Sequence, residues 1–180
     1  MARFAKVDIE WWGSTPDERS EQYPCDGLLA DPEPALFRAI DVQAPAPVLF
    51  RWLCQLRVAP YSYDWIDNYG RRSPRQLTPG LDDLQVGQRV MTIFRLAHVE
   101  PGSSISLISD HAFFGRMAVT YRVRPKGPEA SRLVVKLLAG RRAGIGRLIA
   151  KALPAADLVM MRRQLLNLKA LAEAAAPPDS

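Results

Sequence analysis

The sequence predicts an α+β domain in which one curved antiparallel sheet is covered by a long carboxy-terminal helix. Three observations carry this. Beyond Gly87 the chain turns to short alternating segments with only a few residues between them, which makes antiparallel neighbours of the strands they form. Between Pro154 and about Ala174, Leu158, Met161, Leu165, Leu168 and Ala172 recur at steps of three and four, a stripe some four helical turns long. Near the amino-terminal third, Val48, Leu49, Trp52, Leu53 and Leu56 make a second, shorter stripe. A chain of 180 residues is the size of one ordinary domain. With 48% hydrophobic and 24% charged residues it has enough apolar material to fold without help from disulfides or metals.

Taken in order, residues 1–35 form an extended lead-in broken by Pro16, Pro24, Gly27, Pro32 and Pro34, with at least one of Trp11 and Trp12 packing on the body or covering an opening. Residues 36–176 form the single domain, and 177–180 a frayed tail. Leu36 to Val42 reads as a strand, with Arg38 and Asp41 among apolar neighbours. Pro45 and Pro47 then suit a first helical turn, where their missing N–H groups have no partner to lose. Pro60 stops that helix. A short second helix is centred on Asp64 to Asn68 and closed by Gly70, and a polar connection spans 71–86. The strands follow as Gln88 to Arg95, Ala97 to Glu100, Ser104 to Ser109, Arg116 to Arg124 and Ser131 to Ala139, divided by Pro101 and Gly102, by Asp110 and His111, and by the turn from Pro125. Within Arg116 to Arg124, Met117, Val119, Tyr121 and Val123 point one way and Arg116, Ala118, Thr120, Arg122 and Arg124 the other. Loose turns around Gly144 and Gly146 lead to the final helix, which Pro154 opens.

Composition excludes several function classes. The net charge of +5 is spread over small arginine groups and not drawn into one basic arm, so no nucleic-acid partner is expected. Cys25 and Cys54 are far apart and lack metal spacing, which predicts two reduced thiols and no metal. No apolar run has signal-peptide or membrane-span length, so no stable membrane insertion and a cytoplasmic location are expected. No phosphate loop or nucleophile elbow occurs, and no cofactor is implied.

The segment from Tyr61 to Asn68 concentrates rings and carboxylates. Tyr61, Tyr63 and Trp65 offer stacking faces, while Asp64 and Asn68 are four apart on one helical face and could hold a ligand hydroxyl or water. An equally good reading makes the rings a lock on the short helix, and for Asp64 a structural cap or local hydrogen-bond anchor is the better reading. Catalytic candidates are Asp64, which burial would turn into a general acid or base, and the two histidines, His98 and His111. His111 adjoins Asp110, but neighbours on a strand face opposite ways, so a loop histidine is the better reading.

Order and residues together resemble the START-like superfamily, also called helix-grip, Bet v 1-like or polyketide cyclase/dehydrase-related, and within it a bacterial branch. The resemblance rests on AlaProAlaProValLeuPheArgTrpLeuCysGln from 44 to 55, on TyrSerTyrAspTrpIleAspAsn from 61 to 68, on ProCysAspGly from 24 to 27, on SerArgLeuValValLys from 131 to 136, and on the helix from Met160 to Glu173. Phe50 stands where that branch commonly has tryptophan, and Lys136 where it has arginine. The resemblance implies a sheet of about six or seven strands gripping the last helix, two short helices after the first strand, and a cavity between sheet and helix. Ligand-binding candidates on that basis are Trp52, Tyr61, Tyr63, Asp64, Trp65, Asn68, Arg95, Tyr121, Met161 and Leu165. The expected function is intracellular binding of a small hydrophobic or aromatic, lipid- or polyketide-like molecule by a monomer or homodimer. The alternatives are a metal-independent cyclase or dehydratase using a cavity carboxylate, tyrosine or histidine, and an interaction module with a collapsed cavity.

Overall fold

The computed structural model describes residues 9–67, 70–111, 115–141 and 146–176. Six strands, β1 (Leu36–Val42), β2 (Arg89–Val90), β3 (Phe94–Glu100), β4 (Ser104–His111), β5 (Gly115–Pro125) and β6 (Ser131–Ala139), make one open antiparallel sheet. Their order is β1-β6-β5-β4-β3-β2, so the first strand pairs with the last. Helices α2 (Ala46–Cys54) and α3 (Asp64–Asp67) carry the chain from one edge strand to the other, and α4 (Gly146–Ala175) lies across the sheet. This is the α+β helix-grip architecture.

The alternation read from the sequence sets the two faces. Val119, Tyr121 and Val123 of β5 and Leu133, Val135 and Leu137 of β6 enter one core with Leu49, Trp52 and Leu53 from α2, Leu56 from the 3₁₀ turn Gln55–Arg57 that follows it, and Met161, Leu165, Leu168 and Ala172 from α4. Ala118, Val134 and Leu138 point the other way, into a smaller core with Tyr23, Cys25, Leu29 and Phe37. That second core is what the amino-terminal segment does. It contains a short helix, α1 (Pro16–Ser20), and a 3₁₀ turn at Pro24–Gly27, so it is not extended throughout. Thr15 and Glu18 form a reciprocal capping box, which explains a helix only 5 residues long. The basic residues of the outer face meet acids from this segment: Arg132 bonds Glu18, Arg124 bonds Glu21, and Lys136 Nζ lies 2.6 Å from Asp26 Oδ1.

Two boundaries differ from those expected. Gln88 to Arg95 is not one strand, because Met91 and Thr92 take left-handed φ values of 45° and 63° and turn the chain sharply between β2 and β3. No glycine marks this turn, so local sequence gives no sign of it. The last helix begins at Gly146 and runs through Pro154. Arg38 of β1 holds it there, donating to the Pro154 carbonyl and pairing with Asp157, although proline offers no N–H to the carbonyl four residues earlier. Among the described residues, no helix is long and apolar enough to cross a membrane.

The edge of β1 is covered by the amino-terminal segment, since Phe37 N donates to the Glu10 carbonyl (2.7 Å) and Ala39 N to that of Trp12 (2.9 Å). Trp12 packs against the main core, whereas Trp11 stays 41% exposed beneath Arg19. Gly13 makes this approach possible: its φ is +73°, and a Cβ there would sit 2.1 Å from the Ala39 carbonyl oxygen. Gly13→Ala should therefore lower the denaturation midpoint at unchanged slope, reflecting a stability loss of at least about 1–2 kcal/mol for the left-handed backbone alone.

Candidate functional site

A cavity of about 420 Å³ lies between the inner face of the sheet and α4. It is open on one side and far too large to count as a collapsed core. Met117, Val119 and Tyr121 of β5 and Leu137 of β6 form its floor, and Ala156, Met160, Met161 and Gln164 of α4 its roof. The left-handed turn at Met91 and Thr92, with Ile93 and Phe94, closes one wall; Pro60 and Ser62 bound another. Four of the five methionines of the chain line this space. Their unbranched thioethers adapt to irregular shapes more readily than branched aliphatic chains do.

Few polar groups reach the cavity, and their arrangement is specific. The Tyr121 hydroxyl donates to Gln164 Oε1 (2.7 Å), and Gln164 Nε2 donates to the Pro60 carbonyl (2.6 Å). The glutamine thus links the sheet to the entry of the α3 segment. Burial pushes the Tyr121 hydroxyl well above the ordinary tyrosine value, so it stays protonated. Asp157 also lines the cavity. Its carboxylate pairs with Arg38 Nη2 at 2.8 Å, and the two side chains are only 8% and 1% exposed. Arg38 projects from the inner face of β1 and further donates to the carbonyls of Glu10 and Phe37 (both 2.8 Å) and of Pro154 (3.2 Å). Burial raises the Asp157 carboxyl to about 6, and the adjacent guanidinium offsets only part of that. His111, the last residue of β4, stands at the exposed mouth on the same face, in a strand and not in a loop.

Of the residues expected at the site, Tyr121, Met161 and His111 line the cavity. Trp52, Tyr61 and Leu165 lie in the main core instead, with the Trp52 and Tyr61 rings edge to face at 6.1 Å. Burial takes the Tyr61 hydroxyl up to about 12. Tyr63 is half-buried outside the lining; Arg95 and His98 point outward from β3, and Trp65 is 75% exposed. Asn68 lies outside the described residues. Asp64 is turned away from the cavity and grips the following loop, accepting from Ser73 N (2.9 Å) and Ser73 Oγ (2.5 Å). Its carbonyl takes the N–H of Gly70, whose φ of +76° supplies the expected helix stop.

Asp157 and Gln164 escaped the sequence reading although a signal existed. Asp157, Met161, Gln164 and Leu168 follow one another at steps of four, three and four, so two polar side chains sit within the apolar stripe of α4. A polar residue on a buried stripe must find a partner or a function. Both cysteines are buried and free, and burial raises the Cys54 thiol to about 12, which leaves it unreactive. Among the described residues, no cluster of histidine, cysteine and carboxylates could hold a metal ion.

Comparison with solved structures gives a consistent picture. The chain is similar to the Zhui aromatase/cyclase from a Streptomyces species, with TM-score 0.53 and 15% identity over 80% of this chain and 99% of that one. It is similar to a Thermus thermophilus protein (TM-score 0.51, 18% identity, 80% of this chain and 100% of that one). A START superfamily protein from Mycobacterium smegmatis matches with TM-score 0.50 and 13% identity over 78% of this chain and 97% of that one. At these identities the likeness is one of fold. No protein-family model matches the sequence, and no curated protein matches it.

Two outcomes follow from this geometry. Asp64→Ala should lower the melting temperature through loss of the Ser73 bonds, a cost of roughly 1–3 kcal/mol, while binding in the cavity persists in a titration at low temperature. The second concerns pH. Because folding raises the Asp157 pKa, its contribution is present below about pH 4 and is lost as pH rises through about 6. Burial opposes ionisation at Glu18, Asp41 and Glu173, but bonds from Arg132, Lys126 and Lys169 hold them below the ordinary carboxylate range, and the Arg124 bond does so at Glu21. Those groups change stability only below their ordinary values, so among the shifted carboxylates of the described residues the window above pH 5 belongs to Asp157. From about pH 5 to pH 7 the wild-type chain should lose roughly 1 kcal/mol relative to Asp157→Asn in paired urea denaturations.

Proposed function

We propose that this chain, built on the START-like helix-grip fold, encloses one small, mostly apolar molecule in the cavity between its sheet and α4. The observation that carries this reading is the lining, an apolar surface rich in methionine around a few converging polar groups. Such a surface gains about 25 cal/mol for every Å² of apolar ligand area it removes from water, and the methionines let it fit ligands of differing outline. The hydroxyl of Tyr121 and the carboxylate of Asp157 give that ligand an orientation. The reading keeps the expectation of a cytoplasmic monomer or homodimer acting without nucleic acid.

A second reading is acid-base chemistry on the enclosed molecule, of the cyclase or dehydratase kind. It is favoured by Asp157, a cavity carboxyl raised to about 6, and by His111 at the mouth. A group that titrates near neutrality can both release and recover a proton within one turnover. The similarity in fold to an aromatase/cyclase agrees with this reading but does not supply it. The two readings differ in what Asp157→Asn does: a carrier keeps its full function when its ligand still binds, whereas an enzyme binds and fails to turn over.

Native mass spectrometry of the purified chain, before and after addition of apolar candidates, should reveal a one-to-one complex. Ala156 is exposed at the edge of the cavity, so Ala156→Trp fills the space without breaking the core. It should weaken ligand binding at least about tenfold with the melting temperature nearly unchanged, since it displaces ligand area worth more than 1.4 kcal/mol. Unaltered binding in that variant would place the ligand elsewhere.

A further inference from the structure

The polar end of the cavity is one-sided in its hydrogen bonding. Gln164 commits both amide protons, since Nε2 donates to the Pro60 carbonyl at 2.6 Å and lies 3.2 Å from Met91 Sδ. A carbonyl can only accept, which fixes the amide so that Oε1 faces Tyr121. Tyr121 spends its single proton on that oxygen. What remains for a ligand is acceptor capacity, a lone pair on the Tyr121 oxygen and one on Gln164 Oε1. Asp157, when ionised, is an acceptor only, and Arg38 is its one partner among the described residues.

Among the described residues, cations do not balance these oxygens. No lysine or arginine is among the cavity-lining side chains described. Arg38 lies behind Asp157 and directs its guanidinium at three carbonyls and that carboxylate. The remaining polar side chains lie elsewhere on the lining: Thr92 and His111 are exposed at the rim, and Ser62, whose oxygen accepts from Tyr63 N at 2.6 Å, is half-buried on the wall beside Pro60, so it is the end formed by Tyr121, Gln164 and Asp157 that lacks a donor.

Resting on the cavity-binding reading above, we propose that the ligand is an uncharged apolar molecule whose inner end carries a hydrogen-bond donor, a hydroxyl, phenol or N–H. A ligand ending in an ether or ester oxygen sets lone pairs against lone pairs and leaves buried acceptors unsatisfied, at a cost of about tenfold in affinity. A carboxylate or phosphate is disfavoured further, because it brings negative charge toward Asp157, whose cationic partner among the described residues, Arg38, is already engaged.

Three probes on one ring system test this in the full chain: 2-naphthol, 2-methoxynaphthalene and 2-naphthoate, titrated at pH 7.5 by calorimetry. The expected result is that 2-naphthol binds about tenfold or more tightly than either of the others. In Asp157→Asn, whose amide donates as well as accepts, 2-methoxynaphthalene should gain and the gap narrow. The comparison in the unmodified chain decides the matter even where that variant folds poorly. Equal binding of 2-naphthol and 2-methoxynaphthalene, or tighter binding of 2-naphthoate, would overturn the donor requirement and leave the cavity reading standing. Failure of all three up to their solubility limits would remove the cavity reading, and the donor requirement with it.

Discussion

The buried charge of Arg38 is the constraint from which most of the inner architecture follows. Its place in β1 gives it the same orientation as Leu36, Ile40 and Val42, into the interior of the grip. A guanidinium cannot stay there without counter-charge and acceptors. The fold answers it from two sides. The amino-terminal segment offers the Glu10 carbonyl, and α4 offers Asp157 and the Pro154 carbonyl. One side chain thus fixes the edge of the sheet, the segment laid over that edge and the position of the long helix. The same requirement places a carboxylate on the cavity, because the face of α4 that answers Arg38 is also the cavity roof.

The sheet works on both faces, and each face has its own chemistry. Inward residues of β5 and β6 are apolar and feed the main core and the cavity floor. Outward residues are a mixture of small apolar side chains and cations, and the first part of the chain covers them with Tyr23, Cys25 and Leu29 among the acids Glu18, Glu21 and Asp26. Arg122 lies over the Tyr23 ring at 4.3 Å, while Tyr23 packs edge to face on Phe37. Much of the basic character of the strands is therefore spent inside the molecule, on its own amino-terminal segment.

At the site, sequence and structure part company in an instructive way. The segment from Tyr61 to Asp67 draws attention because rings and carboxylates crowd together there, yet crowding reflects a local task. Tyr61 locks onto Trp52, Asp64 ties the loop through Ser73, and the Tyr61 carbonyl receives Asn167 Nδ2 from α4 at 2.8 Å. Trp65 is left at the surface. Of that segment Ser62 borders the cavity, and the other polar groups described there come from distant points, Thr92 before β3, Tyr121 on β5, His111 on β4, Asp157 and Gln164 on α4. None stands beside another in sequence, so no motif announces them. The turn at Met91 and Thr92, which closes one wall, is equally silent, since its left-handed backbone is adopted by residues that seldom choose it.

The sequence by itself determined the fold class, the two-faced alternation of β5, the buried stripe of α4, the start of α2 at its prolines and the stop at Gly70. These are periodic or local properties, written in spacing and in the backbone limits of proline and glycine. Tertiary structure alone decided which members of each stripe meet an empty space and which meet another side chain. Leu165 and Met161 belong to one stripe, yet only the second borders the cavity. It also decided the partners of Arg38, Tyr121 and Gln164, because periodicity tells which face a residue occupies and says nothing of what comes to lie against it.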